Sequence, residues 1–134
     1  SGGYVVMKRF LFRPSAPIII VRAIIEGREG SRPLKLVFDT GSSYTILPWE
    51  IVVAIGYDPA ISTKRTQLTT ASGLEMAPVI TISKVIALGE EVKDLEVACH
   101  DIPPNAYADG LLGLNFLRNF NVFLKFKEGF IEIG

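Results

Sequence analysis

Leu34-Lys35-Leu36-Val37-Phe38-Asp39-Thr40-Gly41-Ser42-Ser43-Tyr44-Thr45-Ile46-Leu47 decides how the rest of the chain is read. The apolar run Leu36-Val37-Phe38 ends in an acid, Asp39. Thr40, Gly41, Ser42 and Ser43, all turn formers, follow at once. Tyr44 to Leu47 then returns to strand-forming residues. The pattern predicts strand, turn, strand, with a carboxylate at the exit of a buried strand. Such a carboxylate is costly unless it is paired or hydrogen-bonded. Backbone N–H groups of the turn and the hydroxyls of Thr40, Ser42 and Ser43 are the nearby donors. Taken alone, the triplet Asp39-Thr40-Gly41 is better described as a β-turn whose Asp bonds its own turn.

Composition narrows the setting. A chain of 134 residues corresponds to one domain and can bury a core without staples. With 49% apolar residues it is a globular chain and not a disordered one. Fourteen basic residues balance fourteen acidic ones, which leaves no footprint for nucleic acid. A single Cys, Cys99, cannot form an internal disulfide. Adjacent Cys99-His100 is a poor start for a metal site of three or four ligands, so neither metal nor cofactor is expected. His100 is also the sole His, and at the end of Val97-Ala98-Cys99 it reads as a surface residue. No apolar run approaches the roughly 20 residues that span a bilayer, and no targeting segment is visible, which favours the cytoplasm. Ser1-Gly2-Gly3 reads as an expression remnant, and residues 4–134 as one domain.

Taken in order, Tyr4 to Phe12 and Ala16 to Glu26 read as strands, the second from its run of Ile and Val. A loop at Glu26 to Ser31 leads to a strand from Pro33 to Asp39. Pro48 to Gly56 carries the signals of a short helix, with Pro48 at its first position. Thr63 to Leu68 and a strand after Gly73 form a hairpin with an exposed tip at Thr69-Thr70-Ala71-Ser72-Gly73. Strands Val79 to Ile82, Val85 to Leu88 and Val92 to Ala98 follow, with a turn at Gly89-Glu90-Glu91 and a break at Pro103-Pro104-Asn105. Phe116 to Phe120 is long enough for one helical turn. Asn121 to Lys127 alternates, with Val122, Leu124 and Phe126 on one face, and a tight turn at Glu128-Gly129 joins it to Phe130 to Ile133. Eight or more short strands imply an all-β barrel or sandwich.

Asp39-Thr40-Gly41-Ser42-Ser43 after an apolar strand resembles the active-site signature of aspartic proteases. Leu111-Leu112-Gly113, followed by Leu114-Asn115-Phe116-Leu117, resembles the family's apolar-apolar-Gly element. Asp loop, mid-chain hairpin and late apolar-Gly stretch together are similar to a single retropepsin-like lobe, over roughly Ile18 to Ile133. The resemblance implies a closed β-barrel lobe with a flap hairpin and one or two short helices. It implies that Asp39 is catalytic, that Thr40, Gly41, Ser42 and Ser43 form the active-site loop, and that Thr70, Ala71, Ser72, Gly73 and Leu74 belong to the flap and touch substrate. It implies that Thr40 bonds across two Asp loops, and that Leu111-Leu112-Gly113 threads behind one. Ser42-Ser43 is closer to the pepsin form than to the viral one, and a Ser bonded to the outer carboxylate oxygen would favour acidic operation. The mechanism needs two carboxylates sharing one proton. No second Asp-Thr-Gly or Asp-Ser-Gly is present, so a homodimer with Asp39 from each chain is expected, acting on peptide or protein substrates. Tyr4 to Phe12 would add an edge strand or pair across that dimer with Phe130 to Ile133. Two other readings remain open: a retropepsin-like dimerisation or peptide-binding module with weak or no hydrolysis, and an unrelated ligand-binding barrel.

Overall fold

The computed structural model describes residues 6–103 and 106–134 as ten strands, two short α-helices and one turn of 3-10 helix. In β2 (Ile20–Gly27) Val21, Ala23 and Ile25 are buried, and in β3 (Gly30–Phe38) Leu34 and Leu36 are. That period of two is what a sheet with one wet face requires. β2 and β3 pair as far as Gly27 opposite Gly30, so the turn is Arg28-Glu29 alone and tighter than the expected loop.

The barrel follows from pairing around a ring. β3 runs parallel to β8 (Gly110–Leu112), and β8 meets β4 (Thr45–Leu47). β4 runs parallel to β7 (Glu90–Cys99), β7 pairs with β6 (Gly73–Ala87), and β6 returns to β2. Six strands therefore close on themselves, which removes the edges of an open sheet. Ile25, Leu36, Leu47, Ile82, Val97 and Leu112 fill the interior with no measurable exposure. Each such burial contributes about 1.5–3 kcal/mol before entropy is counted. Helix α1 (Trp49–Ala54) adds Val52, with Pro48 as its N-cap and not as its first residue. Asp58 caps the 3-10 turn Pro59–Ile61 through the Ala60 N–H at 3.1 Å.

β6 is one strand where the sequence reads separate strands after Gly73, from Val79 to Ile82 and from Val85 to Leu88. Up to Pro78 it pairs with β5 (Arg65–Thr70), and from Val79 it pairs with β7. Proline lacks a donor, and it sits where the strand changes partners, so the missing N–H costs little. A second irregularity falls at Ser83, between the pairs Ile82–Leu95 and Lys84–Lys93. Its N–H donates to the Tyr57 hydroxyl at 3.0 Å, and Asp94 opposite takes φ +53°. The following turn is Leu88-Gly89, one residue ahead of expectation, since Ala87 already pairs with Glu90.

A second, three-stranded sheet has the order β1 (Lys8–Leu11), β10 (Phe130–Ile133), β9 (Val122–Lys125). Ile131 and Ile133 carry it into the main core. The first strand thus pairs with the C-terminal one inside a single chain; the part of its expected span at Tyr4 and Val5 lies outside the described residues. The same holds for Pro104 and Asn105 of the expected break. Phe126 leaves the strand and is exposed, in a connection that runs from Phe126 to Gly129. Helix α2 (Leu114–Leu117) begins two residues before Phe116, directly behind β8. Among the described residues no helix is long and apolar enough to cross a membrane.

Cys99 ends β7 inside this core, and burial pushes its thiol up to about 12. A thiol reagent at about pH 8 should label Cys99 only after denaturant unfolds the chain, because the native thiolate is scarce. The sign of the linkage follows. The native thiol keeps its proton where the unfolded one loses it, so this contribution to stability is complete below about pH 9 and falls away toward about pH 12. Rapid labelling of the native protein would contradict this placement.

Candidate active site

The site begins where β3 runs out. The Phe38 N–H donates to the Ile19 carbonyl at 2.8 Å, and the Asp39 N–H donates to the Leu112 carbonyl at 3.0 Å. Asp39 is thus held by the end of β8 while its side chain turns into the loop. The Gly41 N–H donates to Asp39 Oδ1 at 2.9 Å. Oδ2 makes no hydrogen bond among the described residues. Asp39 is half-buried, and Thr40, Gly41 and Ser43 are exposed. The Ser42 hydroxyl donates to the Tyr44 carbonyl at 2.6 Å and not to Asp39, so the expected second donor to the carboxylate, and the acid preference drawn from it, lose their basis.

Leu111-Leu112-Gly113 lies directly behind this loop. Leu112 is fully buried, and a Cβ on Gly113 would stand 2.2 Å from the Tyr44 carbonyl oxygen and 2.8 Å from that of Ser42. Glycine is what allows the two backbones to touch. α2 completes the clamp, with the Leu114 N–H on the Ser42 carbonyl (2.8 Å) and the Asn115 N–H on that of Ser43 (3.2 Å).

Two residues that sequence reasoning passed over lock this arrangement. Thr45 is fully buried, and its hydroxyl accepts from the Gly113 N–H (3.1 Å) and donates to Asn115 Oδ1 (2.9 Å). The Thr45 N–H donates to the same oxygen (2.8 Å), and Asn115 Nδ2 donates to the Glu96 carbonyl. One amide thereby joins β4, β7 and α2. The only sequence signal was position, a polar residue two places after Gly113.

Asp39 opens onto a cleft of about 770 Å³. Tyr44, Ile46 and Leu111 form its apolar floor, and β5 with the start of β6 its roof. Thr70, Ala71 and Ser72 line it, and the Thr70–Gly73 pair closes the turn. Leu74 does not line the cleft and is 65% exposed: it pairs with Thr69 on the outer face of the hairpin, whereas Leu68 and Glu75 share the inner face. His100, expected at the surface, stands in this cleft with Nε2 on Glu75 Oε2. The lining carries the carboxyl groups of Asp39, Glu75 and Asp101 and no Lys or Arg. A larger groove of about 980 Å³ between β1 and β2 excludes the Asp39 loop, and Asp109 there is spent on the Lys35 N–H at 2.9 Å. Chemistry and not volume therefore selects the smaller cleft.

The family model described as "gag-polyprotein putative aspartyl protease" matches residues 25–119. The crystal structure of a retropepsin-like aspartic protease from Rickettsia conorii superposes with a TM-score of 0.69 at 23% identity, covering 96% of this chain and 99% of that one. At that identity the likeness carries the fold. A search of curated proteins found no match.

Thr45→Val keeps the shape and removes the hydroxyl, leaving the buried Gly113 N–H without its acceptor. It should destabilise the protein by about 1–3 kcal/mol in urea unfolding, with Thr45→Ser nearer wild type. Equal stability of Thr45→Val and wild type would contradict the clamp.

Proposed function

The chain belongs to the retropepsin-like aspartic protease family, and from that premise we propose that it is an endopeptidase whose site needs Asp39 from two copies. One observation carries this reading: no other Asp shares the setting of Asp39. Asp58 caps the 3-10 turn, and Asp94 sits at the irregular pairing opposite Ser83. Asp101 accepts from the Trp49 N–H at 3.1 Å, and Asp109 holds Lys35. Asp39 alone leaves a strand directly into an exposed loop that Gly113 and α2 clamp from behind, and it faces the cleft. A second copy related by a two-fold axis supplies the missing group.

Two carboxylates a few ångströms apart cannot both ionise, so the pair shares a proton, as is established for aspartic-protease dyads. Its two titrations belong to the pair and not to either residue. The ionised member takes a proton from water as the water oxygen bonds to the peptide carbonyl carbon. The protonated member gives its proton to the carbonyl oxygen. Collapse of the resulting diol breaks the C–N bond: the amine takes the proton now held by the first carboxyl, and a diol hydroxyl gives its proton to the second, which restores the pair. Thr40 is exposed on the loop, and in such a dimer its hydroxyl would bond across to the partner loop.

An extended peptide fits the cleft as an added strand between the hairpin and the floor. Tyr44, Ile46, Leu68 and Leu111 offer apolar contact to side chains near the cut. The β5–β6 hairpin then acts as the flap, excluding water and strengthening the electrostatics around the dyad. Thr70, Ala71, Ser72 and Gly73 form its tip.

Asp39→Asn should leave the fold intact and lower kcat/KM on apolar-flanked peptides by about 10²–10⁴-fold or more. Sedimentation should show a dimer at high concentration or with a statine-type transition-state analogue. Equal cleavage by both forms would end the catalytic assignment. Dimerisation and peptide binding without cleavage would favour the binding-module reading.

A further inference from the structure

The β5–β6 ribbon leaves the barrel at Pro78, and little holds it beyond that point. Leu68 and Ala77 pack toward Tyr44, Ile46 and Leu111. Among the described residues, the one hydrogen bond from residues 65–77 to any part of the chain outside the ribbon joins Glu75 Oε2 to His100 Nε2. His100 belongs to the barrel wall, since its N–H donates to the Leu47 carbonyl at 3.0 Å. The pair therefore ties a mobile type of element to a rigid one.

The other ring nitrogen fixes the chemistry. His100 Nδ1 lies 2.8 Å from the Asp101 carbonyl oxygen. A carboxylate and a carbonyl oxygen can only accept, so both ring nitrogens face acceptors. Imidazolium satisfies both at once. A neutral imidazole has one N–H: the Glu75 contact is either lost or kept without the ring's charge, and it is weaker in both cases. The charged groups around the ring are Glu75 from the ribbon, Asp101 beside it, with its carboxylate on the Trp49 N–H, and Asp39 in the same cleft. All are acidic, and no Lys or Arg in the cleft competes with the imidazolium for Glu75.

We propose that Glu75 and His100 are positioning residues for the ribbon, a tether that holds it over the cleft while His100 is protonated and slackens when the proton leaves. The contact stands by itself; its consequence for catalysis rests on the protease reading. When the proton leaves His100, the ribbon opens more often and substrate is held less well. Because the pair is partly exposed, with side-chain exposures of 28% for His100 and 42% for Glu75, the effect is modest and weakens with salt.

The test is amide hydrogen exchange on the whole chain at about pH 5.5 and about pH 8, corrected for intrinsic rates, in wild type, His100→Gln and Glu75→Gln. Wild type should lose about two- to fivefold protection in residues 65–77 at the higher pH and none in the barrel. Both variants should show the lower protection at both values. On a cleaved peptide, the KM of wild type should rise by a similar factor over that interval while kcat follows the dyad, and the KM of His100→Gln should stay flat. An unchanged wild-type ribbon, or the same pH response in the variants, would overturn the tether. A KM profile shared by wild type and His100→Gln would overturn its role in catalysis. A wild type that cleaves nothing defeats the protease reading, and the exchange data still decide the tether.

Discussion

Where Gly113 passes behind Tyr44 there is no room for a side chain. A single methyl group would sit 2.2 Å from a carbonyl oxygen that cannot retreat, because Ser42 and Thr45 on either side are themselves bonded. That contact brings the end of β8 against the Asp39 loop, and the rest of the site follows from it. The Asp39 N–H finds the Leu112 carbonyl, α2 caps the loop carbonyls, and the Thr45 hydroxyl fills the buried space between them. The carboxylate is left half-buried on a backbone that has few ways to move. Preorganisation of this kind lets a charged group work without rearranging during reaction.

The barrel and the ribbon have opposite physical characters. Six strands closed in a ring share one apolar interior, so their opening is a global event. The ribbon is two strands with an exposed outer face at Leu74 and Met76, a small satellite cluster beneath it and one side-chain tether. On the proposed protease reading, the ribbon would admit a peptide and then cover it, which requires low local stability. Pro78 marks the border, since it is the residue at which β6 exchanges a barrel partner for a ribbon partner.

Much of this was legible in the sequence. The strand before Asp39, the turn after it and the Leu111-Leu112-Gly113 element stand where the residues pointed, because periodicity and turn chemistry are local. What failed was also physical. The strands read separately after Gly73 and from Val79 are one, because the chain changes partners at Pro78 without ending. Phe126 looks like core from alternation, yet strand pairing ends one residue before it, at Lys125. Leu74 looks like a binding residue from proximity to the tip, but the register with Thr69 turns it outward. His100 and Glu75 are 25 residues apart, and Thr45 and Asn115 are 70 apart. Such pairings exist only once the barrel has closed, so no local pattern announces them.

Half of a catalytic pair encoded once, and completed by a twin, is the central claim. Subunit mixing tests it most directly. Wild type is held at constant concentration, under conditions where dimers form, and Asp39→Asn is added in excess. If each site needs one carboxylate from each chain, activity falls as mixed dimers take up the wild-type chains, to about one tenth at a ninefold excess. Activity that stays constant through the titration would mean that one chain carries a whole site, and would contradict the account.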